Sequence, residues 1–359
     1  MLSWRDHRHP EAGGAEVFLD RISADLVRRG HSVTIFTARY AGSLPEEVLH
    51  DGRRIVRGGG RLTVYPRAAF GLLMRRRGFD VVVDVQNGVP FWSPAYSGLP
   101  VVCVVHHVHH EQWGEVFAPT TAALGWTLES RVAPAVYRNC QYLVVSQSTA
   151  SDLAAVGVSA ERIHVAYSGL DPQPELAEYD PAGPPRLLVL GRLVPHKRIE
   201  LALTTLKQLI ETYPDLTLDV AGQGYHEEEL IRFAERLEVR DRVRFAGRVS
   251  DSEKLQLFSR ATVHLLPSLK EGWGLTVVEA AYQGTPTVAF RSAGGTAESI
   301  VDRRTGLLAD SESDFVNLTS QILADSQLRS LLSHQARIHA RAFTWEATTE
   351  ELERLLLEM

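Results

Sequence analysis

Cysteine is scarce in this chain. Its 359 residues hold two, Cys103 and Cys140, far apart and without metal-ligand or redox spacing. That excludes a cysteine metal or thiol-redox motif and fits a reducing cytosol. Cys103 sits within an apolar run and reads as a buried free thiol. Long apolar runs are missing as well. No stretch approaches the roughly 18 residues of a membrane helix. The opening Met1-Leu2-Ser3-Trp4-Arg5-Asp6 has no apolar core after a basic start, so it is not read as a signal peptide. Positive charge is in deficit: 38 Lys and Arg face 44 Asp and Glu, a net charge of -6. The molecule as a whole therefore offers no basic field for nucleic acid. An Asp-x-Asp triplet, a carboxylate pair that commonly holds a divalent metal, does not occur.

What is present is ordinary globular material, 44% hydrophobic and 23% charged. At roughly 150 residues per domain the length suggests two domains. Short Val- and Ile-rich runs at Ser32 to Thr37, Val81 to Val85, Val101 to Val105 and Tyr142 to Val145 have the character of buried parallel strands. Helical patterns lie between them; the first places Phe18, Ile22 and Leu26 on one face and closes at Gly30. A Pro- and Gly-rich segment at 172–185 reads as a linker. Beyond it, runs at Arg186 to Leu190, Thr217 to Val220, Val243 to Phe245, Val263 to Leu266 and Thr287 to Phe290 repeat the alternation. The expectation is α/β architecture with two Rossmann-like domains: 1–171, then the 172–185 linker, then 186–343. A helix over 344–359 should pack back toward the N-terminal domain. Only Met1 to Trp4 precede the first polar loop, so the first N-terminal strand should be short or truncated. The run Arg75-Arg76-Arg77 is either a helix end facing water or a patch that meets anionic lipid.

Three constellations carry chemistry. In Leu190-Gly191-Arg192 through Lys197, a strand gives way to a helix. Arg192 offers a planar fork and Lys197 a mobile point charge, a combination suited to a pyrophosphate at a helix mouth. Taken alone, the two remain readable as solvated surface cations. In Glu271-Gly272-Trp273-Gly274-Leu275-Thr276 through Glu279, a second strand runs through a glycine loop into a helix. Glu279 lies about one turn inside and leans back toward Glu271. Two acceptor-only carboxylates suit sugar and ribose hydroxyls. They equally suit a dipole-favoured first-turn acid and a solvated helix Glu. The third constellation, His106-His107-Val108-His109-His110-Glu111, follows a strand end. Four histidines in five positions invite a zinc reading with Glu111 as a further ligand. His106 and His107 project to opposite faces of an extended chain, which argues against one shared centre.

Taken together these residues resemble the retaining glycosyltransferases of family 4, which have the GT-B fold. Gly191-Arg192 with Lys197, and Glu271 spaced to Glu279 through Glu-Gly-aromatic-Gly-Leu, carry the resemblance. Gly13-Gly14-Ala15-Glu16, Val144 to Thr149 and Ser168-Gly169-Leu170-Asp171 extend it over nearly the whole chain. The opening Ser3 to Asp6 with His9-Pro10 resembles a bacterial subgroup of varied or unassigned acceptors. The resemblance implies two parallel sheets facing across a cleft. It implies that Arg192, Lys197, Gly14, Gly274, Leu275 and Thr276 hold the donor diphosphate and that Glu279 binds ribose. The base would lie near Gly247, Arg248 and Val249. Glu271 and His106 would be catalytic, and Gly13, Asn87, His107, Gly272 and Trp273 would line the sugar and acceptor pocket.

The expected reaction moves a hexose from a UDP- or GDP-linked donor to an acceptor hydroxyl with retention, without metal and without a cofactor. The expected acceptor is a carbohydrate, a lipid-linked or a small molecule; the expected location is cytoplasmic, with peripheral contact at the inner membrane face left open. Rival readings are a nucleotide-sugar epimerase of the same fold and a non-catalytic sugar-nucleotide binder. A dinucleotide dehydrogenase is disfavoured, because Gly222-Gln223-Gly224 lacks a third glycine at Glu227.

Overall fold

In a computed structural model, which describes residues 1–174 and 183–359, the chain forms two compact units. One is Met1–Gly169 with Thr344–Met359; the other is Leu170–Phe343. Of the expected linker, residues 175–182 lie outside the described set.

The N-terminal unit contains β1 (Thr34–Thr37), β2 (Glu46–Val48), β3 (Arg54–Arg57), β4 (Val82–Gln86), β5 (Val101–Val105), β6 (Gln141–Val144) and β7 (Ile163–Val165). They pair as β1-β3-β2 and β4-β5-β6-β7, all parallel except β2 against β3. Leu2 joins the two groups, bridging in parallel to Phe36 and to Asp84. Its amide donates to Val83 O at 2.8 Å, and its carbonyl accepts from Val85 N at 2.9 Å. In place of the short first strand expected from the sequence, Leu2 alone forms isolated bridges between the two groups. Leu2 is fully buried there. Burial of one such side chain contributes about 1.5–3 kcal/mol. The helix Trp345–Leu357 packs against the helix Gly14–Arg28. Glu353 binds Arg29 at 2.9 Å and His31 at 2.8 Å, and Thr348 Oγ1 donates to Tyr167 O at 2.6 Å.

The C-terminal unit contains β8 (Arg186–Leu190), β9 (Thr217–Ala221), β10 (Val243–Gly247), β11 (Val263–Leu266), β12 (Thr287–Phe290) and β13 (Gly306–Ala309). The order is β10-β9-β8-β11-β12-β13, and every pair is parallel. The chain builds outward from β8 on one side, then returns to build from β11 on the other. A topological switch point therefore falls between β8 and β11. Leu187, Val189, Val220, Leu265 and Val288 bury against Ile199, Ala202, Leu203 and Leu206 of the helix Ile199–Leu209. Among the described residues no helix is long and apolar enough to cross a membrane.

Candidate active site

In an open parallel sheet, the crevice at the switch point lies beyond the carboxyl ends of the strands. In the C-terminal unit β8 leads to Arg192 and Lys197, and β11 leads to Glu271. The two loops are tied by Leu269 N donating to His196 O at 3.0 Å. Lys197 Nζ lies 2.5 Å from Glu271 Oε1, both side chains mostly enclosed. Burial alone would raise the Glu271 carboxyl; the adjoining Lys197 charge outweighs it and holds the carboxyl below the usual range. Arg198, next along, is held in the left-handed region at φ 50 and pairs with Glu312. Arg192 is exposed at the end of β8. Its loop is set by backbone packing: Gly191 N donates to Ala221 O and Leu193 N to Gln223 O, each at 3.0 Å. A Cβ on Gly222 would come within 1.8 Å of Gly191 O, so that position needs glycine. The triplet that resembled half of a dinucleotide motif is there to let two loops touch.

Gly274, at φ 85, turns the chain into the helix Leu275–Tyr282. The first amides of that helix, including those of Leu275 and Thr276, have no partner within the helix and lie at its positive dipole end. Glu279 lies in the same helix, 2.6 Å from Lys254 Nζ. Burial pushes the Glu279 carboxyl up, and Lys254 only partly offsets it. Gly247 ends β10, its carbonyl accepting from Gly222 N at 2.8 Å. Arg248 is exposed, and Val249 packs against the core cluster of Leu188 and Phe258. Gly247 thus lies at the carboxyl end of β10, and Arg192, Lys197 and Glu271 follow the carboxyl ends of β8 and β11. Gly272 is partly exposed. Trp273 is buried, 3% exposed, with its ring edge-on to Phe343 at 4.9 Å. Its ring serves the core of the unit.

The N-terminal unit gathers a second set. Gly13 caps the helix Gly14–Arg28, its amide donating to Glu16 Oε2 at 2.7 Å. Arg5 Nε binds the other Glu16 oxygen at 3.0 Å, and both side chains are buried. Asn87 follows β4 and His106 follows β5. The His106 ring meets Phe18 edge-on at 5.0 Å, and its carbonyl accepts from Thr149 Oγ1 at 2.9 Å. Its Nε2 is enclosed, with no hydrogen-bond partner among the described residues. Burial, aided by the nearby His109, lowers its pKa to about 4, so the ring is neutral at neutral pH. His107 Nε2 faces Gln112 Oε1 at 2.9 Å, and its ring lies 4.1 Å from that of His109. His109 bridges Glu129 Oε1 at 3.0 Å and Asn87 Oδ1 at 3.1 Å. His110 packs on Trp126. The four rings turn to different partners, and among the described residues no three His, Cys, Asp or Glu gather as a metal site.

Lys254 and Glu129 escaped sequence reasoning, and Glu16, named there only within the Gly13 to Glu16 motif, was given no role. Glu129 is buried on a π-helical turn, Leu128–Val132, and accepts from Trp113 Nε1 at 2.6 Å and from the amide and ring of His109. Each acts on a partner 11 to 25 residues away in sequence. Glu16 alone left a trace, standing three residues after the capping Gly13.

Comparison with known proteins accounts for both units. Residues 12–174 match the family model "Glycosyltransferase Family 4", and residues 177–339 match "Glycosyl transferases group 1". The chain is 26% identical over 340 residues to glycogen synthase of Mycobacterium tuberculosis, spanning 86% of this chain and 81% of that protein. Among solved structures it resembles the sucrose-phosphate synthase of Thermosynechococcus elongatus, with TM-score 0.83, 20% identity, and 99% and 97% of the two chains covered. Anabaena HepE in complex with UDP and glucose superposes with TM-score 0.78 at 20% identity, covering 100% of this chain and 98% of that one.

Proposed function

The chain belongs to the family 4 glycosyltransferases with the GT-B fold, enzymes that draw on nucleotide-sugar donors. From that premise we propose that it moves a hexose from a UDP- or GDP-linked donor to a hydroxyl of a carbohydrate or lipid-linked acceptor, with retention and without metal. The observation that carries this reading is the Lys197–Glu271 pair at the switch point between β8 and β11. A cation there can balance charge on a departing diphosphate, and the first amides of Leu275–Tyr282 add a positive dipole end. Glu271 contacts the transferred sugar, and Glu279 accepts from the ribose hydroxyls. In the N-terminal unit, the neutral His106 ring offers a hydrogen bond to a sugar hydroxyl. Among the described residues no carboxylate stands out as a covalent nucleophile, which favours front-side attack. The acceptor oxygen bonds to the anomeric carbon as the bond to the phosphate oxygen breaks, and the leaving diphosphate takes the acceptor's proton. HepE, with UDP and glucose bound, makes UDP-glucose the first donor to try.

A thermal-shift screen against UDP-, GDP- and ADP-sugars should single out one donor, since a ligand of the folded state raises the melting temperature. With that donor, Lys197→Ala and Glu271→Ala should each lower turnover at least about a hundredfold without unfolding. Near-normal turnover in both would sink the assignment. EDTA should leave turnover unchanged. Incubation with donor alone separates this reading from an epimerase, which would convert the sugar with no acceptor.

A further inference from the structure

Between Asp51 and Asp80 the chain carries eight arginines and no Asp or Glu, in a molecule of net charge -6. Five of the eight are used internally. Arg54 and Arg75 pair with Glu46, and Arg76 donates to Gly98 O. Arg53 is buried against Asp20 and Asp51, and Arg57 against Asp6 and Glu47. Most of the others stand around the helix Val64–Arg75. That helix seats Val64, Ala68, Gly71 and Leu72 in the unit. A helix so seated normally turns a polar face to water. Here the outward face is apolar. Phe70 is 63% exposed, Met74 69%, and Leu62, just before the helix, 79%, with Leu73 also exposed. Arg67 lies one turn before Phe70, and Arg77 lies just past the helix end. Neither makes an ion pair among the described residues. Arg67 and Phe70 line one cleft with Gly59, Thr63 and Pro66, so a cation and an aromatic ring sit side by side.

We propose that this face of the N-terminal unit docks on an anionic lipid surface, with Phe70, Leu73 and Met74 entering the headgroup boundary and Arg67 and Arg77 on lipid phosphates. The pairing of an outward apolar stripe with cations of one sign is what an interfacial helix presents. Charge complementarity selects the partner. An acidic protein is repelled by an anionic surface everywhere except at a locally reversed patch, so the patch also fixes which side faces the lipid. An exposed apolar cluster of this kind is not required for folding, because its side chains leave the core untouched.

The test is flotation of the full chain with vesicles. It should bind vesicles of equal parts phosphatidylglycerol and phosphatidylcholine, release at high salt, and ignore pure phosphatidylcholine. Phe70→Ser with Met74→Ser, and separately Arg67→Ser with Arg77→Ser, should weaken binding, the arginine pair by about 30-fold. Circular dichroism and melting temperature should not change, because all four side chains are exposed. The proposal fails if the wild-type chain does not bind the anionic vesicles, or if both double variants bind as well as wild type. It also fails if sedimentation velocity shows a dimer that Phe70→Ser with Met74→Ser dissolves while vesicles bind nothing.

Discussion

Glu279 sits one turn into its helix with a side chain only 15% exposed, and Lys254 Nζ stands 2.6 Å from one of its oxygens. Removing one member of such a pair leaves a poorly solvated charge, which typically costs about 3–5 kcal/mol when burial is complete and less here. In Lys254→Met the carboxyl, already pushed up by burial, should be more readily protonated and accept less well from the ribose hydroxyls proposed for it. UDP-glucose affinity by calorimetric titration should fall about tenfold, and Lys254→Arg should restore it. Unchanged affinity in Lys254→Met would mean that Glu279 is not tuned by its neighbour. His106 presents the opposite case, a half-buried base whose enclosed Nε2 has no hydrogen-bond partner among the described residues. Its pKa of about 4 keeps it neutral over the working range. The pH profile of kcat/KM from pH 5.5 to 8 should therefore show no inflection from this ring. His106→Gln should lower the rate at least about tenfold while leaving the shape of that profile alone.

At the scale of elements, the π-helical turn Leu128–Val132 is the device that aims Glu129 inward, since a widened turn shifts the side-chain phase of its helix. Trp113, held by Glu129, runs between Gly88 and Gly125. A Cβ on Gly125 would come within 2.4 Å of the indole. Gly125→Ala should thus displace Trp113 and lower stability by about 1–3 kcal/mol, seen as a drop in melting temperature of a few degrees. Binding of UDP-glucose, read in the other unit, should not change. None of this was legible beforehand, because Trp113, Gly125 and Glu129 carry no local signal of meeting. The strands divide the same way. Val101–Val105 and Val263–Leu266 were readable because full burial on both faces demands an apolar run. Arg54–Arg57 was not, because its arginines reach ion pairs with Glu46, Asp6 and Glu47 that only the fold supplies. Glu46–Val48 is an antiparallel edge, largely exposed and polar. Gly306–Ala309 opens with a glycine and follows a turn, which hides its apolar run. The positions of Arg192, Lys197 and Glu271 on strand-to-helix turns, and of Glu279 one turn into the helix that follows, were legible because local sequence already dictates them.

Across the whole molecule, buried histidines set how the fold responds to acid. His264 on β11 is fully buried, its Nδ1 3.0 Å from Thr287 Oγ1, and burial lowers its pKa from 6.5 to about 3. Between those values the unfolded chain takes up a proton that the folded chain refuses. Stability is therefore complete above about pH 6.5 and is lost as the pH falls toward 3. His106 acts in the same sense in the N-terminal unit, down to about pH 4. The carboxylates do not compete over most of this window. Asp20 is held at about 2, and Glu271 lies below its ordinary 4.5, so the stability they contribute is lost only at lower pH. Glu279, raised above 4.5, works the other way and offsets part of the loss as acid is added. Moving from pH 7 to pH 5 should cost the C-terminal unit about 2 kcal/mol through His264 alone. Urea unfolding at the two pH values measures it. His264→Asn keeps a polar atom near Thr287 but cannot titrate, so the pH 5 penalty should shrink by that amount. An identical penalty in the variant would place the acid sensitivity elsewhere.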